Sequence, residues 1–82
     1  MQIQRETLSQ EALLTLANEL IRSHEDFIHG MRADAVEQRG DVLVFKGEYF
    51  LDQDGTPTPK TMAVFNMFKY LAHRLSDKYR LA

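Results

Sequence analysis

The sequence lacks cysteine and tryptophan altogether, and it has no long run of apolar residues. Without cysteine the chain can form neither a disulfide framework nor a thiolate zinc site. No stretch approaches the roughly 18 apolar residues that identify a membrane-spanning helix. The opening residues MQIQRETLSQ also lack the apolar segment of a secretory signal. Together these absences predict a cytoplasmic protein that does not enter a membrane.

What the chain does contain is enough for one small globular domain. Its 82 residues are 44% hydrophobic and 27% charged, which is ordinary for a soluble domain. We therefore expect a single domain over residues 1–82, with residues 1–8 forming a flexible N-terminal lead.

The residues that break regular structure are confined to the middle of the sequence. All glycines and prolines lie between positions 30 and 59: Gly30, Gly40, Gly47, Gly55, Pro57 and Pro59. This distribution divides the chain into a helix, an extended middle and a second helix. The pattern predicts an α+β domain with two helices and a small antiparallel sheet of two or three strands.

The first helix is predicted over residues 9–29. Apolar side chains recur there at helical spacing and form one stripe about 120° wide. The stripe comprises Leu13, Leu16, Ala17, Leu20, His24, Phe27 and Ile28. Thr7 with Gln10 fits a capping box at the start, with Ser9 as a rival N-cap. Gly30 suits a left-handed C-terminal cap.

Two strands joined by a short turn are predicted after Gly30. Residues 31–38 are a modest strand candidate, and Arg-Gly-Asp at 39–41 is a turn of hairpin length. The segment VLVFKGEYFL at 42–51 is rich in β-branched and aromatic residues, which favours a strand. Gly47 inside it indicates a bulge or the close approach of another backbone segment.

Turn residues separate this strand from the last helix. Asp-Gln-Asp-Gly at 52–55 predicts a turn. A third short strand at 56–58 is a further option, which Pro57 would confine to a sheet edge. The last helix is predicted to start with Thr58 as N-cap and Pro59 as its first residue. Its apolar stripe comprises Val64, Met67, Phe68, Leu71, Ala72, Leu75 and Tyr79.

The segment SHEDFIHG at residues 23–30 is similar to an interrupted zinc-protease motif. That motif needs two histidines four residues apart on one helix face. His24 and His29 are five apart and diverge by about 140° on a helix, so we expect no metal and no cofactor. His24 falls in the apolar stripe and is interpreted as a hydrogen-bonded histidine at the core boundary. A small-ligand site near His24 is the alternative.

Charge is divided unevenly along the chain. Residues 1–58 contain five cations and eleven acids, whereas residues 59–82 contain five cations and only Asp77 as an acid. The simpler interpretation is that the basic segment packs beside the acidic one. The alternative is a basic helix that binds nucleic acid or another acidic partner. The residues on its cationic face are Lys69, His73 and Arg80. We expect that partner not to be nucleic acid, because basic and aromatic residues are not interleaved.

The second strand is apolar on both faces, which predicts self-association. Leu43 and Phe45 face the helices, and the opposite face carries Val42, Val44 and Phe50. If both helices cover one side of the hairpin, the other side is an exposed apolar patch, which monomers tend to avoid. We therefore expect a non-enzymatic interaction module that forms a homodimer, with an unidentified protein partner as a further option. The rival arrangement has the helices on opposite sides of the sheet.

The stretch VLVFKGEYFLDQDGTPTPKTMAVFNMFKYLAHRLSDKY resembles the YciN family of small bacterial proteins. Its most distinctive segments are GEYFLD and VFNMFK, and the likeness extends back through HED at residues 24–26. The resemblance implies a small, single-domain, cytoplasmic protein. It brings neither catalytic residues nor an assigned biochemical function.

Overall fold

Two helices and two small sheets make up the described part of the chain. A computed structural model describes residues 5–82. The elements in chain order are β1 (Glu6–Leu8), α1 (Gln10–Ser23), β2 (Ala33–Arg39), β3 (Val42–Gly47), α2 (Pro59–Ser76) and β4 (Tyr79–Leu81). The predicted α+β class is confirmed, as is the antiparallel pairing of β2 with β3. Within the described residues, neither helix is long and apolar enough to cross a membrane.

Helix α1 is shorter than its sequence pattern predicts. Ser9 is the N-cap, and its hydroxyl accepts a hydrogen bond from the backbone N–H of Ala12 at 3.2 Å. The helix ends at Ser23 because His24 has an extended backbone conformation. The prediction of a helix to residue 29 was therefore wrong. Gly30, with a φ of 90°, lies in the following loop and does not cap α1.

The hairpin turns where the sequence indicates. Gly40 has a φ of 58° in the two-residue turn between β2 and β3, which is the first central position, where type II′ turns favour glycine. Cross-strand pairs include Val36 with Phe45 and Glu37 with Val44. Strand β3 ends at Gly47, so the predicted strand over 42–51 was too long.

Gly47 is the site of a close backbone approach. A Cβ atom on Gly47 would collide with the backbone carbonyl oxygen of Arg32 and would lie 3.1 Å from the ring of Phe68. The pairing register of β2 shifts between Ala33 and Ala35, opposite this end of β3. The expectation that a neighbouring backbone segment requires glycine here is confirmed.

Helix α2 begins at the predicted cap. The Thr58 hydroxyl accepts from the backbone N–H of Thr61, and the Thr61 hydroxyl accepts from the backbone N–H of Thr58, forming a capping box. Thr61 is fully buried, and its hydroxyl also donates to the carbonyl of Tyr49 at 2.5 Å. The capping box therefore sets the start of α2, and Thr61 also attaches α2 to the segment after β3.

The chain termini pair in a way that the sequence pattern does not predict. Strand β4 runs parallel to β1, with Glu6 opposite Tyr79 and Leu8 opposite Leu81. The helical stripe was expected to extend to Tyr79, but α2 ends at Ser76. Residues 6–8 were expected in a flexible lead and instead form β1; residues 1–4 lie outside the described part of the chain.

The segment between β3 and α2 contains a turn and no third strand. The Asp52 side chain accepts hydrogen bonds from the backbone N–H groups of Asp54 and Thr56 at 2.9 and 3.0 Å. Gly55 adopts a φ of 78°. The predicted turn at 52–55 is confirmed, whereas the strand considered at 56–58 is absent.

Both helices pack on the same face of the hairpin. Val36, Leu43 and Phe45 are buried on that face. They belong to one core with side chains from the two helices: Leu13, Ala17, Ile21, Val64, Met67, Phe68, Leu71 and Leu75. Within residues 5–82 no helix packs on the opposite face of the hairpin, which we call the open face, so the rival arrangement with helices on both faces was wrong.

Candidate interaction surfaces

The open face of the hairpin combines two valines with three charged side chains. Val42 is 47% exposed and Val44 is partly buried. Their cross-strand neighbours on this face are Arg39 and Glu37 respectively. Because cross-strand neighbours point to the same side of a sheet, each valine lies beside a charged side chain.

Glu37 is the centre of the charges on the open face. Its carboxylate is 3.1 Å from the Lys46 ammonium and 3.2 Å from the Arg39 guanidinium. The hydrogen bond from Lys46 lowers the pKa of Glu37 below its ordinary value of 4.5, and Arg39 acts in the same direction. These groups are solvent-exposed, so the ion pairs contribute more to the polarity of this surface than to stability.

The structure separates Phe50 from the two valines. The chain leaves β3 at Gly47, and Phe50 then adopts a φ of 54°. A Cβ atom placed on Gly30 would lie 3.6 Å from the Phe50 ring, and the Lys60 ammonium lies 5.7 Å from the ring centroid. Alternation along an extended strand placed Phe50 on the open face, but the chain is no longer extended there.

Two exposed apolar side chains of α2 form a second surface that the sequence analysis did not consider. Met62 is 57% exposed and Phe65 is 48% exposed. They are three residues apart, so they lie on neighbouring positions of one helix face. The Phe65 ring lies 5.4 Å from the Tyr49 ring. The sequence feature that indicates this surface is the number of apolar residues in α2. The helix has more of them than one buried stripe can hold, so some must be exposed.

The predicted cationic face is divided between two elements. Lys69 and His73 lie one turn apart on α2, and both are exposed. Arg80 lies on β4, beyond the end of the helix. The prediction that all three share one helix face was therefore wrong, because it extended the helix past Ser76.

A different pair of cations lies beside a cavity between the helices. Arg74 and Lys78 line a cavity of about 310 Å³ between α1, the end of α2 and the start of β4. The full lining is Leu16, Glu19, Leu20, Ser23, Arg74, Leu75, Lys78 and Tyr79. The sequence did not indicate this pair because the prediction extended α2 past Ser76. On that longer helix, Arg74 and Lys78 point away from the face that carries Lys69 and His73.

His24 lies at the end of α1 and borders a second cavity. Its ring Nδ1 accepts a hydrogen bond from the backbone N–H of Asp26 at 3.1 Å. The ring also contacts Tyr70 edge-on, with centroids 4.8 Å apart. When His24 is neutral, this bond places its proton on Nε2, which is then a donor. The adjacent cavity of about 300 Å³ is lined by His24, Asp26, Ala63, Asn66, Met67 and Tyr70.

The two histidines of the SHEDFIHG segment do not share a helix. His24 caps α1, and His29 lies in a turn of the following loop. Among residues 5–82, no group of three or more His, Asp or Glu side chains is placed to hold a metal ion.

Comparison with known proteins identifies the family. A family model described as "Protein of unknown function (DUF2498)" matches residues 4–82. The chain belongs to this family. Protein YciN of Escherichia coli strain K12 is 58% identical over 74 residues, which cover 90% of this chain and 89% of that protein. The YciN proteins of E. coli O6:H1 and O157:H7 match to the same extent.

The resemblance to the YciN family that the sequence segments suggested is confirmed by this identity. The family description assigns no function.

Proposed function

We propose that this DUF2498 protein is a non-enzymatic interaction module that self-associates through the open face of its hairpin. The observation that carries the proposal is the packing of both helices on one side of a two-stranded sheet. That packing leaves Val42 exposed and Val44 only partly buried in a domain with a small core. Such a core supplies only about 3–5 kcal/mol of stability, so covering the open face with a second copy is favourable.

A two-fold axis fits the charge pattern of this face. Each copy presents Glu37 between two cations, Arg39 and Lys46. Two copies related by a two-fold axis would place Val44 near its own counterpart. Each Glu37 would then lie within reach of cations from the other copy. An isologous contact of this kind is the commonest way in which identical chains associate.

The contact is expected to be weak because a six-residue strand and its neighbour offer little area. Interfaces smaller than about 1,200 Å² are typical of transient association. The dimer should therefore form in the high micromolar range and dissociate on dilution.

Sedimentation equilibrium over a concentration series tests the proposal. The average mass of the natural protein should rise above the 9.5 kDa of one chain. Val44→Lys should hold the mass near 9.5 kDa, and the new lysine faces Glu37, so the hairpin stays paired. Met62→Lys is the matched control because Met62 is an exposed apolar residue away from the hairpin. A mass that stays at 9.5 kDa up to high micromolar concentration contradicts the dimer.

The compartment is a further part of the proposal. The chain has no cysteine and so no disulfide that would need an oxidising compartment, and we place the module in the cytoplasm. Fractionation of cells that produce the tagged protein checks this; recovery in the periplasmic fraction is the contrary result.

A second candidate function is the binding of a small ligand beside His24. The observation that favours it is the position of the His24 ring, which borders a cavity together with Tyr70 and Asn66. A fragment screen followed by NMR tests it. Ligands of this site should perturb the ring resonances of His24 and Tyr70 and should lose affinity in His24→Ala. Fragments that bind equally well to His24→Ala would eliminate the site.

A further inference from the structure

The cavity beside Arg74 has an apolar floor and a polar rim, and the rim carries cations on one part and hydrogen-bond acceptors on another. Leu16 and Leu20 of α1, Leu75 of α2 and Tyr79 of β4 supply the apolar surface. Arg74 and Lys78 form one part of the rim, and Glu19 and Ser23 form another. The cavity therefore offers three kinds of contact at once: apolar surface, cations and hydrogen-bond acceptors.

The two cations on the rim have no carboxylate partner within residues 5–82. The ion pairs of the described chain engage Arg5, Arg32, Arg39 and Lys46, and none involves Arg74 or Lys78. Both side chains are exposed. The backbone N–H of Lys78 donates to the carbonyl of Leu75 at 3.1 Å, which fixes the start of the Lys78 side chain beside the cavity. Two cations outside any ion pair of the described residues thus border an apolar recess whose rim also carries Glu19.

We propose that this cavity binds an acidic peptide segment of a partner protein. One large apolar side chain of the peptide would enter the recess formed by Leu20 and Leu75, and a neighbouring carboxylate would bind Arg74 and Lys78. The two cations favour a negatively charged ligand, because carboxylates accept charge-assisted hydrogen bonds from arginine and lysine. A volume of about 310 Å³ is at the small end of ligand sites, which suits a single anchoring side chain.

The acceptors on the rim favour a peptide over a fatty acid. Glu19 offers a carboxylate and Ser23 a hydroxyl beside the same recess. A peptide backbone brings N–H donors for these oxygens, whereas a fatty acid has none. The cavity shares no residue with the open face of the hairpin, so this proposal and self-association stand or fall separately.

NMR titration of the natural protein with blocked tripeptides tests the inference. Acetylated and amidated Asp-Leu-Asp should shift the amide resonances of Leu20, Ser23, Leu75 and Tyr79 at millimolar concentrations. Lys-Leu-Lys, the charge-reversed control, should leave them unchanged. Added salt should weaken the response to Asp-Leu-Asp, because the rim is exposed and its charges are screened.

Two double variants separate the rim from general positive charge. Arg74→Gln with Lys78→Gln should weaken Asp-Leu-Asp binding by about tenfold or more. Lys60→Gln with Lys69→Gln removes two exposed cations of α2 that do not line the cavity and should leave binding unchanged. The dispersion of the amide spectrum shows that each variant is folded.

Several outcomes overturn the inference. Equal shifts with both tripeptides, or equal binding in both double variants, would show that the cations do not select the ligand. Stronger binding of laurate than of Asp-Leu-Asp would assign the cavity to lipids. Salt-sensitive binding of duplex DNA without any response to Asp-Leu-Asp would assign the cations to nucleic acid. Loss of self-association in Arg74→Gln with Lys78→Gln would make the occupant a second copy.

Discussion

The side-chain carbonyl oxygen of Gln38 accepts a hydrogen bond from the backbone N–H of Leu81 at 3.0 Å. Gln38 belongs to β2 and Leu81 to β4, so this bond joins the hairpin to the parallel pair of terminal strands. The amide nitrogen of the same side chain donates to the carbonyl of Gly40 at 2.8 Å, which orients the amide. One glutamine thus connects the hairpin turn to the C-terminal strand.

Replacing Gln38 with alanine should loosen the terminal strands. The Leu81 N–H loses its acceptor, and a hydrogen bond of this kind contributes about 1 kcal/mol. Hydrogen exchange at Leu81 should become roughly five times faster, since 1.4 kcal/mol corresponds to a factor of ten. Gln53→Ala, in the exposed turn after β3, is the control and should leave Leu81 unchanged. Unaltered exchange in Gln38→Ala would show that β4 is held by β1 alone.

Ser76 should be more important to stability than its size indicates. Its hydroxyl accepts from the backbone N–H of Leu43 at 2.9 Å, and the residue is only 8% exposed. Ser76→Ala leaves a buried N–H without a partner, which costs about 1–3 kcal/mol. Ser23→Ala, which removes an exposed hydroxyl bonded to the carbonyl of Glu19, should cost much less. Urea unfolding of the two variants measures both losses of stability. Equal losses would contradict a stabilising role for the hydrogen bond between Leu43 and Ser76.

Gly47 should tolerate alanine worse than Gly55 does. A methyl group at Gly47 meets the carbonyl oxygen of Arg32, a backbone atom directly before β2. We expect Gly47→Ala to lower the free energy of unfolding by about 3 kcal/mol or more. Gly55→Ala meets open space and bears only the cost of its φ of 78°, about 1–2 kcal/mol. Thermal unfolding compares the two variants. If Gly55→Ala unfolds at a lower temperature than Gly47→Ala, the backbone around Gly47 relaxes easily to admit the methyl group.

Glu37 should make the hairpin sensitive to acid. Its folded-state pKa is lowered from 4.5, chiefly by the hydrogen bond from Lys46. Ionised Glu37 therefore favours the folded state above pH 4.5, and that contribution is lost as the pH falls through the lowered pKa. The stability difference between the natural protein and Glu37→Gln should shrink below pH 4.5. Urea unfolding at neutral and acidic pH measures this stability difference. A difference that grows on acidification would show that ionised Glu37 destabilises the folded state.

Local signals in the sequence predicted the elements that local interactions determine. Thr58 and Pro59 mark the start of α2 because capping involves only neighbouring residues. Leu43 and Phe45 alternate along β3 and were correctly placed in the core. Periodicity did not locate the end of α1, because Phe27 and Ile28 continue the apolar stripe after His24 has left the helix.

The terminal strands and the cavity rim depend on contacts that are distant in sequence. Tyr79 continues the helical stripe of α2, yet it pairs with Glu6 at the other end of the chain. Helical spacing carries no information about that pairing. The same error placed Arg80 on the helix and turned Lys78 away from the recess it borders. Val42 and Val44 were placed on the correct face because β3 is regular over their length.

The central claim is that the open face of the hairpin joins two copies, and isotope-filtered NMR tests it most directly. An equimolar mixture of labelled and unlabelled protein, at high micromolar concentration, reports only contacts between different chains. The account predicts intermolecular NOEs from the methyl groups of Val42 and Val44 and their loss in Val44→Lys. Intermolecular NOEs confined to Met62 and Phe65, or none from either valine, would contradict it.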